Sequence, residues 1–148
     1  MAILLSDQAD VSHELNIERL LKLAELARPR ALAAKRAGSV LESLQEVEIT
    51  LVDDDTIARV HGEFMEDPTP TDVITFHHGE ILISVETAER QAAEYGRSWQ
   101  DEVSLYIVHG LLHLAGYLDK TPEDFKCMAA AQERILAECL AELAQTDD

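Results

Sequence analysis

Residues 109–119 read HGLLHLAGYLD, and this stretch predicts a helix that carries two metal-binding side chains. His109 and His113 are four residues apart, so on a helix their imidazoles lie on one face, one turn apart, and can bind one cation. Gly116 follows where a glycine can take the left-handed conformation that ends a helix. Asp119 comes soon enough after that turn to return beside the imidazoles. Two neutral imidazoles, one carboxylate and a water are a common ligand set of catalytic zinc.

A simpler interpretation needs no metal. One histidine would then be exposed and the other packed, and Asp119 would only cap a turn. A His-x3-His pair alone favours this interpretation, but a glycine and an aspartate at these spacings favour the metal site.

The same stretch resembles the signature of the YbeY family, the bacterial rRNA maturation endoribonucleases, which reads H-G-x-L-H-L-x-G-Y-D-H. The matching positions are His109, Gly110, Leu112, His113, Leu114, Gly116 and Tyr117. Leu118 stands where the family has Asp, and Asp119 stands where it has a third His. The resemblance implies a zinc ion held by His109, His113 and Asp119. Because a carboxylate replaces an imidazole, we expect a more anionic site with a weaker preference for zinc.

A second segment carries the resemblance further. Residues 70–76, PTDVITF, resemble the family's P-T-D-V-L-S-F-P, and His77 replaces the final proline. The family also has an arginine directly after an upstream aromatic residue. Phe64 matches the aromatic residue, but Met65 occupies the arginine's position. Arg59 does not replace it, because six residues along a helix is a rotation of about 240°.

Five other side chains are candidates for orienting a metal ligand or contacting the substrate: Glu102, Asp72, His77, Arg90 and Arg97. Glu102 lies two turns before His109, where it either orients a ligand or faces solvent. The position of Asp72 favours a role as a strand cap over a catalytic one. His77 is either a further ligand or an exposed turn residue. The two arginines are candidates to supply the positive charge that the missing family arginine would provide.

The residue after the first histidine bears on the reaction class. Zincin proteases carry a glutamate there as the general base, whereas this chain has Gly110. Peptide hydrolysis by that route therefore lacks its base. A bound metal would still lower the pKa of its water and polarise a phosphoryl or carbonyl oxygen.

Length and composition bound the class of protein. A chain of 148 residues with 47% hydrophobic residues predicts one globular domain, 1–148. No apolar run reaches membrane-spanning length, and MAILLSDQAD has no basic leader, so we expect no membrane association and a cytoplasmic location. Cys127 and Cys139 lie twelve residues apart on one predicted helix, so we expect free thiols.

The net charge of −17 is unusual for a protein that binds nucleic acid. Six of the twelve basic residues lie between Arg19 and Arg36, within a segment that is either a solvated helix face with a basic loop or an RNA-binding patch. Local charge governs association with RNA, so overall acidity does not exclude it.

The periodicity predicts an α+β fold, with a small mixed or antiparallel sheet and about five helices. The predicted strands are a first strand at Ile3–Leu5, a strand over 45–52 and a hairpin of 73–76 with 80–85. The first predicted helix covers 17–27 and is ended by Pro29, and a short second helix covers 30–37. A third begins after the acidic cap at 53–55 and runs to about Met65. The others cover 86–95, 99–115 and a last segment from about 121.

Three hypotheses for function follow. The resemblance implies a metal-dependent, single-strand-specific endoribonuclease in rRNA maturation (16S rRNA 3′-end processing) and ribosome quality control, with single-stranded RNA and small-subunit components of the ribosome as partners. Met65 and the acidity support a second, a ribosome-associated metal-binding factor with little or no nuclease activity. The third is a metal-dependent hydrolase of another substrate.

Overall fold

A mixed four-stranded sheet forms from the segments in which apolar residues alternate. A computed structural model describes residues 2–65 and 71–146, and its strands are β1 (Ala2–Asp7), β2 (Glu46–Val52), β3 (Val73–Phe76) and β4 (Glu80–Ser84). Their order is β1-β2-β4-β3, with β1 and β4 parallel to β2 and β3 antiparallel to β4. The predicted hairpin is therefore present, and β3 is an edge strand.

Five α-helices within the described ranges accompany the sheet. They are α1 (Ile17–Ala33), α2 (Asp54–Met65), α3 (Val85–Tyr95), α4 (Trp99–Leu114) and α5 (Pro122–Thr146). α2 packs on one face of the sheet, around Ile57 and Leu82. α4 packs on the other face, where Val47, Ile49 and Ile81 point into the main core. The α+β prediction is confirmed, with the sheet mixed.

Helix α4 is the centre of the main core. Nearly every residue from Glu102 to Leu114 is buried, and only His109 and His113 are partly accessible. A helix that is apolar almost all round must be enclosed on every side, and α4 contacts α1, α3, α5, β3 and β4. The two histidines therefore open onto the only accessible part of an otherwise buried segment.

The prediction that Pro29 ends the first helix is wrong. α1 continues through Pro29 to Ala33, and no second helix begins at residue 30. Ala27 and Ala31 on either side of the proline are fully buried, so packing offsets the hydrogen bond that proline cannot donate. A short 3₁₀ helix, Leu41–Ser43, was also absent from the prediction.

Some predicted features lie outside the described residues. The proline-rich loop, most of which is 66–70, and the final residues 147–148 are among them, as is the side chain of Met65. In the parts of the chain that are described, no helix has the length and apolar character needed to cross a bilayer.

Candidate metal centre

A glycine-terminated turn fixes the end of α4. The Tyr117 amide donates to the Leu112 carbonyl (3.0 Å) and the Gly116 amide donates to the His113 carbonyl (3.1 Å). This is the Schellman arrangement, with Gly116 at φ 99°. The predicted role of Gly116 is therefore confirmed, and the turn carries the chain back toward the histidine face.

The two helix histidines converge on one point. His109 Nε2 lies 3.0 Å from His113 Nε2, and the ring planes are nearly perpendicular, at 82°. Ligand atoms of a tetrahedral zinc with bonds of 2.0–2.1 Å lie about 3.3 Å apart. The pair is therefore already close to the separation that one cation requires.

Hydrogen bonds on the far side of each ring determine which nitrogen faces the site. His113 Nδ1 donates to the Tyr117 carbonyl (3.0 Å), and His109 Nδ1 donates to Gln132 Oε1 (2.9 Å). The Tyr117 carbonyl fixes the His113 proton on Nδ1, and Gln132, with its Oε1 toward the ring, assigns the His109 proton to Nδ1, so both Nε2 lone pairs point at the same space. With the two Nε2 atoms 3.0 Å apart, one cation can accept both lone pairs. This donor set fits a divalent metal ion.

Asp119 lies on the rim of this pair. Its Oδ2 is 3.6 Å from His113 Nε2, and its side chain is about half exposed. Burial lowers the pKa of His113, and His109 nearby lowers it further, whereas Asp119 acts in the opposite direction. Among the described residues, no three His, Cys, Asp or Glu side chains already form a closed ligand cluster. Asp119 therefore stands beside a preformed histidine pair, within reach of a small side-chain movement.

The histidine pair opens into a cleft of about 410 Å³, hereafter the metal cleft. It is lined by His61, Thr71, Asp72, Val73, Ile74, Thr75, His77, His109, His113 and Asp119. The structure thus brings Asp72 and His77 to the site, although Asp72 Oδ1 also caps β3 by accepting from the Val73 amide (2.8 Å). The Thr75 hydroxyl is buried with no hydrogen-bond partner in the described ranges.

His61 was missed by the sequence reasoning. It lies on α2, four residues after the fully buried Ile57, and so on the inward face of that helix. A histidine on an otherwise apolar helix face was the available signal. Among the described residues that line the metal cleft, none is a lysine or an arginine.

A second cleft of about 500 Å³ lies on the other side of His109. It is lined by Asp72, Gln91, Tyr95, Arg97, Glu102, Leu105, Tyr106, His109, Gln132 and Glu133. The Glu102 side chain is 4% exposed, and its Oε1 lies 3.5 Å from Arg97 Nε. Glu102 thus lines this cleft and forms an ion pair with Arg97. The residue that orients His109 is Gln132.

Arg90 is not at the site. Its guanidinium binds Asp54 (2.8 Å) and donates to Thr87 Oγ1 (3.0 Å), where α2 and α3 meet. It is absent from the residues that line either cleft. The half-buried carboxylate of Asp54 holds it there, so Arg90 is not placed to replace the missing family arginine.

Much of the basic segment is paired with the chain's own groups. Arg30 binds Glu138 (3.2 Å) and Glu142 (2.9 Å), and Lys35 binds Glu42 (2.8 Å). The Arg36 guanidinium lies 4.7 Å from the centre of the Tyr117 ring. These contacts favour the structural interpretation of the segment over an RNA-binding patch.

Gly110 permits the close approach of α4 to the sheet. A Cβ at this position would lie 2.8 Å from Ile81 Cδ1 and 2.9 Å from Ile81 Cγ2. Any larger side chain, including the glutamate that zincins carry here, would collide with β4. The packing at residue 110 therefore disfavours the zincin arrangement, in addition to the absence of its glutamate.

The chain is similar in sequence to proteins that cleave RNA. A family model described as Endoribonuclease YbeY matches residues 7–140. The protein named Endoribonuclease YbeY from Symbiobacterium thermophilum is 38% identical over 122 residues, covering 71% of this chain and 78% of that protein. The one from Thermobifida fusca is 35% identical over 133 residues, covering 78% and 83%.

A longer relative and a solved structure extend these comparisons. Endoribonuclease YbeY from Myxococcus xanthus is 39% identical over 106 residues, but the match spans only 36% of that protein. A solution structure of a protein from Thermotoga maritima superimposes with a TM-score of 0.64 and 24% identity, covering 99% of this chain and 94% of the other. The two chains share the fold.

Proposed function

The chain belongs to the YbeY endoribonuclease family, and from this premise we propose that it is a metal-dependent hydrolase of single-stranded RNA that acts in rRNA maturation and ribosome quality control. Residues 1–148 act as one domain, in the cytoplasm, on rRNA in association with small-subunit components of the ribosome. The cofactor is one divalent ion per chain, zinc.

The observation that carries the proposal is the convergence of two unprotonated Nε2 atoms. His109 and His113 are held in this tautomer by Gln132 and by the Tyr117 carbonyl. Orientation of metal-ligating histidines by such outer hydrogen bonds is a general property of catalytic metal sites. His109, His113 and Asp119 would hold the ion.

When bound, a metal ion supplies an acidified water and a positive charge for the phosphodiester. The protein's own side chains then have separate tasks. Asp72, which stands between the two clefts, can accept a proton from the attacking water. His61 and His77 line the metal cleft and can donate a proton to the departing oxygen.

One observation favours a second candidate function. Within the described parts of the chain no lysine or arginine lines the metal cleft, and residue 65 is methionine where the family has arginine. A site with so little positive charge stabilises a phosphoryl transition state poorly. The second candidate is therefore a ribosome-associated metal-binding factor with little or no nuclease activity.

A cleavage assay tests the proposal. Zinc-loaded protein is incubated with a single-stranded RNA and with the same sequence locked in a hairpin, beside an Asp119→Ala control. We expect cleavage of the single strand, little cleavage of the duplex and none by the variant. If neither protein cleaves while both bind small ribosomal subunits, the second candidate is correct. If Met65→Arg then restores cleavage, the missing arginine is the cause.

A further inference from the structure

We propose that the second cleft is a nucleobase-binding subsite, which takes the base beside the cleaved phosphodiester and prefers a base with an exocyclic amino group. The inference rests on the proposed function, because it assigns a substrate contact to the same site. It concerns the residues on the α3 and α5 side of His109, which hold no metal ligand other than His109 itself.

The position of the cleft supports this assignment. The second cleft and the metal cleft share Asp72 and His109 in their linings, so they are neighbouring parts of one surface. An RNA strand with a phosphate beside His109 and His113 must place an adjacent nucleotide against one of the walls. The second cleft, at about 500 Å³, is large enough for a base.

Its rim offers a ring for stacking. Tyr95, the last residue of α3, is 70% exposed, although it is a large aromatic side chain beside a cleft. Gly96 follows in the left-handed conformation and ends the helix, so the ring stands at a chain reversal. Stacking of bases on aromatic side chains is a principal source of affinity for single-stranded nucleic acid.

The polar groups of the cleft are arranged for a neutral heterocycle. Gln91 Oε1 accepts from the Tyr106 hydroxyl, and Gln132 Oε1 accepts from His109 Nδ1. With both carbonyl oxygens used within the protein, the two NH₂ groups are left to donate to a ligand. Glu102 and Asp72 are acceptors in the same lining. Donors and acceptors thus stand together, as the edge of a base requires.

Charge decides between a base and a phosphate. The lining contains three carboxylates, from Asp72, Glu102 and Glu133, and one guanidinium, from Arg97. Arg97 is bound to Glu102 (3.5 Å) and to Glu133 (3.1 Å), so little of its charge is left for a ligand. A phosphate would be repelled here, whereas the N–H donors of an amino-bearing base are attracted to carboxylate oxygens. Uracil has no amino group, so it offers fewer N–H donors to these carboxylates and should bind more weakly.

Deoxynucleosides test the subsite without cleavage. Deoxycytidine and deoxyuridine carry neither a phosphate nor the 2′-hydroxyl group, and their bases differ only at C4, which bears an amino group or an oxygen, and at the adjacent N3, which accepts in cytosine and donates in uracil. Each is titrated into the full, purified, ¹⁵N-labelled chain, and amide shifts are followed by NMR. We expect shifts that cluster at Gln91, Tyr95, Arg97 and Gln132, with deoxycytidine binding more tightly than deoxyuridine.

Two variants of an exposed residue supply the control. Tyr95→Ala removes the ring and should weaken deoxycytidine binding by about tenfold, whereas Tyr95→Phe keeps the ring and should bind like the parent. Equal binding by the alanine variant, shifts located elsewhere, or no preference for deoxycytidine would each overturn the proposal. A chain that binds deoxycytidine in this way but does not cleave RNA would retain the subsite and refute the nuclease.

Discussion

The Nδ1 atom of His113 lies 3.0 Å from the backbone oxygen of Tyr117, across the turn that ends α4. A backbone oxygen only accepts hydrogen bonds, so this contact places the ring proton on Nδ1 and leaves Nε2 free for a metal. The same turn that stops the helix therefore also sets the protonation of its second histidine. The candidate metal centre depends on a backbone conformation that only glycine adopts easily.

Gly116→Ala should disturb both the turn and the site. Its φ of 99° is strained for alanine, and the new Cβ would lie 2.9 Å from the Arg36 carbonyl and 3.0 Å from that of Ala37. We expect a loss of about 3 kcal/mol in the free energy of unfolding, measured by urea denaturation, and weaker zinc binding. Gly96→Ala is the matched control, because it also has positive φ but nothing within 4 Å, so it should cost only about 1 kcal/mol. Equal losses would show that the close approach at Gly116 is unimportant.

Variants of Asp119 decide whether it is the third ligand. Asp119→Ala and Asp119→Asn should both weaken zinc binding and abolish hydrolysis, because one donor of three is lost. Asp119→His should keep or tighten binding, since imidazole suits zinc at least as well. Calorimetric titration gives the affinities, and elemental analysis of the untagged parent should give one metal per chain. An alanine variant that binds zinc as tightly as the parent would show that the ion is held elsewhere.

Gln132 should act on the metal through His109. Gln132→Ala removes the acceptor of the His109 Nδ1 proton, and loss of such an outer contact typically lowers metal affinity about 10–100-fold. Gln132→Glu retains an acceptor oxygen and should hold the ion at least as well as the parent. The comparison is made by competition with a zinc indicator dye. An unchanged affinity in both variants would mean that His109 is oriented by packing alone.

Gly110→Ala should destabilise the fold through one neighbour. The added methyl would overlap the Ile81 side chain, so we expect a loss of about 1–3 kcal/mol in the free energy of unfolding. Ile81→Val removes the Cδ1 atom that the methyl meets at 2.8 Å, at a cost by itself of about 1 kcal/mol. The double variant should therefore lose less than the sum of the two. Strict additivity would place the strain elsewhere.

Asp54 should make stability depend on pH. Burial acts to raise the pKa of Asp54, but hydrogen bonds from Ser84, Arg90 and Thr87 together outweigh it and hold the pKa below its ordinary value. The native state then binds fewer protons than the unfolded state. The stabilisation is present above the unfolded pKa, near 3.9, and is lost as the pH falls through the lower folded value.

Asp54→Asn should accordingly cost about 1–3 kcal/mol at neutral pH, and the gap from the parent should narrow below about pH 4. Denaturant curves at several pH values measure it. Arg90→Gln removes only the exposed partner and should cost less than about 1 kcal/mol, with RNA cleavage unchanged. A constant gap between parent and Asp54→Asn from pH 7 to pH 3 would contradict this account.

Features that depend on near neighbours in the chain were predictable from the sequence. The alternation of Val47, Ile49 and Leu51 indicated β2, and the glycine after His113 indicated where α4 ends. The His-x3-His spacing placed both imidazoles on one face because helix geometry is the same in every fold. The resemblance added the RNA substrate, which no local pattern contains.

Pro29 shows where local rules fail. A proline removes one hydrogen bond from a helix, and by local rules alone the helix should end there. In this protein α1 continues, because buried alanines on both sides of Pro29 and the pairing of Arg30 with α5 stabilise it. Arg90 shows that local rules also fail to predict the partner of a charged side chain. Its partner, Asp54, is thirty-six residues away, so no inspection of the sequence near Arg90 could remove it from the site.

The sequence by itself therefore determined the strands, helix α4, its two histidines and the turn that follows, because short-range geometry fixes them. Only the tertiary structure decided the rest. It set the tautomers through Gln132 and the Tyr117 carbonyl, brought His61 and His77 to the cleft, and joined Tyr95, Arg97 and Glu102 into a second cleft beside His109. These relationships arise from packing α2, α3 and α5 around α4, and the contacts that fix them join residues far apart in the chain.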